Sequence, residues 1–225
     1  MSGFDDVKRR RCVLLDFDGT LADTKQTICH CARIALSELG MTEREMGDLT
    51  RLIGPPFPQA YEEVYGMSAE DAVFVTDRYR EIWDALDADA IPLFPGIPEM
   101  LDALRASGKV VAVATSKAQH VIEDALVRCK IADAFDLVVG KPHGGAFTKA
   151  QTIEVCLERL KVPATDALMV GDRYLDVEGA HLAGLPAIGV TWGGVGTRQE
   201  LEEAGADIIV DSVGELTCTL CDTGV

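Results

Sequence analysis

Short apolar runs rich in β-branched residues recur at 12–15, 109–114, 135–139, 167–170, 186–190 and 207–210. Each is too short for a helix and is bounded by polar or turn-forming residues, which predicts six strands. Between the later runs apolar positions return at helical spacing, over 97–106, 118–129, 149–160, 175–183 and 198–204. Strands that are apolar at nearly every position and alternate with helices predict a parallel sheet buried on both faces. The expected fold class is therefore α/β, a Rossmann-like parallel sheet with helices on both faces.

The stretch 24–89 breaks this alternation. It contains no convincing strand and reads as several helices, with Tyr61, Val64 and Tyr65 on one face of the third. This predicts an inserted all-helical domain. Its connections fall at 21–23 and at Ile91-Pro92-Leu93-Phe94-Pro95-Gly96, whose prolines are hard to fit inside a helix. The expected domains are a core of 1–20 and 94–225 and a helical domain of 21–93.

Composition narrows the classes of function. In 225 residues, 48% are hydrophobic and 26% charged, a globular balance able to bury a sizeable core. The 21 basic against 37 acidic residues leave a net charge of −16, which disfavours a nucleic acid polymer as partner. No run approaches the roughly 20 apolar residues of a membrane span. The basic run 8–11 precedes only Cys12 to Leu15 before Asp16, too little for a signal peptide. The expected location is the cytoplasm, with no membrane partner. The seven cysteines are odd in number and scattered, which predicts reduced thiols. Cys218 with Cys221, and Cys29-His30-Cys31, have partial zinc spacing but no second ligand pair. His30, His120, His143 and His181 pair with no serine or cysteine motif. Gly193-Gly194-Val195-Gly196 lacks dinucleotide-loop spacing and reads as a plain loop.

The chemistry is expected at Asp16-Phe17-Asp18-Gly19-Thr20. It follows the first strand directly, so its carboxylates emerge at the carboxyl end, where open α/β sheets bind ligands. Two acids one residue apart point the same way in a strand, and Gly19 lets the chain turn behind them. Like charges so placed call for a bound cation or a shared proton.

The run Asp16 to Thr24 resembles the first motif of the haloacid dehalogenase-like hydrolases, especially their phosphatases. Val113-Ala114-Thr115-Ser116-Lys117 resembles the second motif, Lys149 the third, and Gly171-Asp172-Arg173-Tyr174-Leu175-Asp176 the fourth. In that order they span 12–190. The resemblance implies Asp16 as nucleophile forming an aspartyl-phosphate and Asp18 as general acid and base. It implies Thr20, Thr115 and Ser116 as substrate-binding residues, with the amides of Ser116 and Lys117 at a helix start. Lys149 would neutralise charge at the nucleophile. Magnesium would be held by Asp16, the Asp18 carbonyl and Asp172, and Asp176 would be an acceptor behind them. Lys141, in Gly140-Lys141-Pro142, also resembles the third motif; a helix-start position favours Lys149.

A carbon-attacking dehalogenase would need neither Asp18 nor the Asp172 site, so phosphoryl transfer is expected. Phosphonate cleavage would need a lysine in the insertion, yet none lies between Lys25 and Lys109. The expected activity is magnesium-dependent hydrolysis of a small phosphorylated metabolite, phosphoglycolate or a nucleoside 5′-monophosphate, by a monomer or weak homodimer. A phosphosugar mutase and a catalytically idle regulatory protein on the same fold are the alternatives. The insertion would act as a cap that selects the leaving group. Its segment Leu52 to Phe57 resembles a cap segment of the phosphoglycolate phosphatase and 5′-nucleotidase-like subgroup. There Arg51 is the candidate for a carboxylate, and Phe57 with Tyr61 for stacking on a base.

Overall fold

The structure, a computed structural model, describes residues 7–142 and 147–221, so His143 lies outside the described residues. Six parallel strands form one sheet: β1 (Cys12–Leu15), β2 (Val110–Ala118), β3 (Leu137–Lys141), β4 (Ala167–Gly171), β5 (Ala187–Val190) and β6 (Ile208–Val210). Their order is β3-β2-β1-β4-β5-β6. Between β1 and β2 the chain forms helices α1 (Lys25–Glu38), α2 (Glu43–Met46), α3 (Gln59–Tyr65), α4 (Ala69–Asp84) and α5 (Ile97–Ala106). Helix α6 (Gln119–Arg128) follows β2, α7 (Lys149–Leu160) follows β3 and α8 (Tyr174–Leu182) follows β4. Helix α9 (Arg198–Glu203) follows β5 and α10 (Val213–Leu220) follows β6.

All of β1 is buried, and strand alternation divides its residues between two apolar clusters. Val13 and Leu15 pack with α5, α6 and α10 residues such as Leu101, Ile122 and Leu216. Cys12 and Leu14 pack with Ile153 of α7, Val177 of α8 and Leu201 of α9. Helices thus cover both faces.

The helices α1 to α4 occupy the stretch that broke the alternation, and their apolar side chains continue the first of these clusters through Leu36, Tyr61 and Trp83. The two connections lie side by side. Ala22 bridges Leu93 antiparallel, Asp23 N donates to Pro92 O (2.8 Å), and Phe94 N donates to Leu21 O (3.1 Å).

Four elements differ from expectation. Strand β2 runs on through Ala118, because Ala118 pairs with Lys141 after a register shift that begins at Ala114. Helix α6 consequently starts only at Gln119, which corrects the placement of the Ser116 and Lys117 amides at a helix start. Strand β3 begins at Leu137, two residues later than expected, because Phe135 caps the 3-10 turn Ala132–Ala134. Helix α10 was not anticipated, although Ser212 capping the Glu215 amide (3.1 Å) follows a readable Ser-x-x-Glu pattern. Among the described residues no helix is long and apolar enough to cross a membrane, and all seven cysteines are free thiols.

Candidate active site

Leu15 stands opposite Val113 of β2 and Val170 of β4. The residues just past these positions, Asp16, Ala114 with Thr115, and Gly171 with Asp172, therefore meet at the carboxyl edge, where the strand order reverses. The Asp16 amide donates to Val170 O (2.9 Å), and its carboxylate is almost fully buried.

Lys149 reaches Asp16 from the first residue of α7. A capping box between Thr148 and Gln151 fixes that helix start. The Lys149 ammonium donates to Asp16 Oδ1 (2.8 Å) and Ala114 O (2.9 Å), and lies 2.7 Å from Asp176 Oδ1. Gly179 on α8 makes the approach possible, since a Cβ there would come within 2.8 Å of the Lys149 side chain. The other oxygen of Asp176 accepts from the Arg173 amide (3.1 Å). Asp176 is thus engaged on both sides and holds Lys149 in place.

Asp172 is different: it is buried, and neither carboxylate oxygen has a hydrogen-bond partner. Gly19, at φ +78°, leaves the space it fills, because a Cβ at Gly19 would overlap its carboxylate. The loop 193–196 is more than a plain loop. A Cβ at Gly193 would run into the backbone of Gly19, and one at Gly196 into the carbonyl of Asp172.

Asp16, Asp172 and Asp176 each offer an oxygen within 4.8 Å of the others. Burial pushes Asp16 up to about 6 against the pull of Lys149, with Asp176 and Asp18 adding to the rise. Burial, followed by Asp176 and Asp16, raises Asp172 well above the carboxylate range. Burial opposes charge on Lys149, but Asp16 and Asp176 overcome it and raise its pKa. Buried acceptors without donors suit a hard cation with oxygen ligands. Asp16 and Asp172 fit such an ion, while Asp176 is already occupied by Lys149.

Asp18 lines the same cavity but is answered by other groups. Its Oδ1 accepts from the Thr24 hydroxyl (2.7 Å), and Oδ2 lies 3.0 Å from the Lys117 ammonium. Lys117 sits 4.2 Å from the centre of the Trp83 ring. The two carboxylates thus line one cavity, as their spacing implies, but each is answered by its own lysine: Asp16 meets Lys149, and Asp18 meets Lys117.

The cavity places Thr115 and Ser116 beside these acids, facing Ile53, Phe57, Tyr79 and Arg80 of the helical insertion. Phe57 packs on Tyr61 at 4.7 Å and meets Tyr79 edge-on at 4.9 Å. Tyr61 is buried behind Phe57 and does not line the cavity. Arg51 is not brought to the cavity either; its Nε donates to Asp48 O (3.0 Å) and its guanidinium lies 5.8 Å from the Tyr65 ring. Thr20 is buried outside the cavity wall, where its carbonyl accepts from the Trp192 indole (3.0 Å). Lys141 makes no ion pair with Asp16, although both line the cavity. Its ammonium donates to Phe57 O (2.9 Å) and Gln59 Oε1 (2.6 Å) in the insertion.

Four side chains contribute that the sequence did not mark. The Lys117 side chain reaches Asp18 only because β2 ends irregularly, which strand alternation does not reveal. Arg173 ties core to insertion, donating to Glu200 (2.8 Å) and to Ile53 O, and its place inside the fourth motif was the available signal. Tyr79, which lines the cavity, and Trp83, which lies under Lys117, carry no motif that would single them out.

The sequence profile of the haloacid dehalogenase-like hydrolase family matches residues 13–190. A 5′-nucleotidase of Pseudomonas aeruginosa is 33% identical over 198 residues, covering 88% of this chain and 89% of that protein. The tyrosine-protein kinase PtkA of Mycobacterium tuberculosis is 35% identical over 184 residues, covering 80% of this chain and 62% of that one. A crystal structure described as a predicted phosphatase from Clostridium acetobutylicum superposes with a TM-score of 0.88 at 35% identity, covering 93% of this chain and 97% of that one. With a profile match that takes in every residue of the acidic site, the chain belongs to the haloacid dehalogenase-like hydrolases and is an enzyme of their phosphatase branch.

Proposed function

We propose that the chain is a magnesium-dependent phosphatase that hydrolyses a small phosphomonoester through an aspartyl-phosphate on Asp16. Phosphoglycolate and nucleoside 5′-monophosphates are the candidate substrates. The observation that carries this reading is the buried, donor-free carboxylate of Asp172 beside Asp16. Magnesium, when bound, would be held by Asp16, Asp172 and the Asp18 carbonyl, and would neutralise charge on the phosphoryl oxygens.

Lys149 occupies Asp16 Oδ1, which leaves Oδ2 to attack phosphorus. The ester P–O bond breaks, and Asp18 supplies the proton to the leaving oxygen. To do so it has to leave Lys117. Asp18 then takes a proton from water, which attacks the acyl phosphate, releases phosphate and restores Asp16. Thr115 and Ser116 hold the phosphoryl oxygens during both displacements. The helical insertion, standing over the cavity as a cap, excludes bulk water and contacts the leaving group.

Phosphate release from a panel of monophosphates, measured with magnesium and with excess chelator, tests the reading. The expected result is hydrolysis that chelator abolishes. Full activity in chelator removes the metal from the account, and no release from any monoester overturns the proposed activity.

A further inference from the structure

The cavity holds more positive charge than phosphoryl transfer uses. Lys149 answers Asp16 and Asp176, and Lys117 answers Asp18. Lys141 lines the same cavity and is only 6% exposed, yet its ammonium meets two neutral acceptors, Phe57 O and Gln59 Oε1. Among the described residues no carboxylate lies within ion-pairing distance of it. A buried charge without a counter-charge is costly, and the cost is relieved when an anion completes the site. Arg80 of α4 lines the cavity as well, while its partner Asp77 (3.0 Å) stands largely exposed on the solvent side. Burial, and after it the charge of Arg80, holds the Lys141 pKa below the usual lysine range, as expected where positive charge is in surplus.

Position indicates what the surplus is for. Thr115 and Ser116 of β2 mark the phosphoryl end of the cavity, beside Asp16. Lys141 ends the neighbouring strand β3 and contacts the insertion, on the side toward which a leaving group extends. We infer that the leaving group carries a second anionic group, a carboxylate or a phosphate, which Lys141 receives with Arg80 beside it. This rests on the phosphatase reading and narrows its substrate class. A leaving group with no charge of its own, such as a nucleoside, leaves the Lys141 ammonium unanswered. Arg51, the sequence's candidate for this role, stands outside the cavity.

Three probes share a transferable phosphoryl group and differ in what leaves: ethyl phosphate releases a neutral alcohol, phosphoglycolate a carboxylate, and inorganic pyrophosphate a phosphate. The wild-type enzyme should show a higher kcat/KM for one of the two anionic probes than for ethyl phosphate, and the preferred one identifies the anion. Lys141→Gln should reduce that preference by roughly tenfold or more, through KM, the loss expected for one charge-assisted hydrogen bond. Arg80→Gln, on a partly exposed helix face, should reduce it in the same direction and decides the matter if Lys141→Gln does not fold. Equal use of all three probes by the wild type overturns the inference. So does an equal loss on all three in both variants, which would make Lys141 merely a tie between insertion and core. Release from nucleoside monophosphates but from none of these probes also overturns it while the phosphatase reading stands. No release from any phosphate ester removes both.

Discussion

Asp172 is the residue on which structure and chemistry press hardest against each other. Its carboxylate lies buried beside Asp16 and Asp176 with no donor, so without a cation the folded protein holds protons that the unfolded chain releases. For Asp16 the folded pKa of about 6 stands above the ordinary 3.8. A carboxyl raised in this way makes the chelated protein lose stability as pH rises from about 4 through 6. Thermal unfolding in chelator should therefore show a lower Tm at pH 7 than at pH 5. Magnesium should recover it at pH 7, by roughly 2.7 kcal/mol at a hundredfold excess over Kd. Asp172→Asn should abolish that magnesium-dependent rise; an unchanged rise would place the cation elsewhere. Asp16, Asp18 and Asp172 were legible because each stands just beyond an apolar strand, where position alone assigns a side chain to the carboxyl edge. Lys117 was not, because its reach to Asp18 depends on the irregular end of β2, and strand alternation gives no account of an irregularity.

Among the elements, the segment 52–57 contributes a wall of the cavity. Ile53, Gly54 and Phe57 line it, while Arg51 turns outward to Asp48. Phe57→Ala should raise KM for cavity-filling substrates, by removing an aromatic face that also braces Tyr79. Arg51→Ala should leave KM within about twofold, as surface substitutions away from special features do. The reverse order of effects, read from initial rates on one substrate, would show that Arg51 swings in when substrate binds. The helical character of this stretch was legible from the absence of a strand pattern, but the bounds of its helices and which side chains face the cavity were not. Tyr61 and Phe57 are close in sequence and in mutual contact, yet only Phe57 borders the open space. That difference arises from packing against α4, which is set by residues far along the chain. The segment 193–196 is a loop, as expected, but its packing was not legible for the same reason, since its glycines answer to Gly19 and Asp172 rather than to their neighbours in sequence.

At the scale of the whole molecule, six strands in one parallel sheet bring four separate stretches of chain to a single edge, and residues of the helical insertion, joined to the core by two adjoining connections, line the cavity there. The strand and helix pattern made the sheet legible because buried parallel strands leave continuous apolar runs. It could not give the order of the strands, which depends on pairing between distant segments. We propose that this assembly serves to make Asp16 a nucleophile. Asp16→Asn should lower kcat by roughly a thousandfold or more, but loss of rate alone does not locate a bond. The direct measurement is to quench the wild-type enzyme during turnover, reduce any acyl phosphate with borohydride and identify the modified residue by peptide mass spectrometry. Phosphorylated aspartate becomes homoserine under this treatment. Homoserine is expected at position 16, present only with magnesium and absent in Asp16→Asn; turnover that leaves position 16 unmodified, or modifies another aspartate instead, rules Asp16 out as the nucleophile.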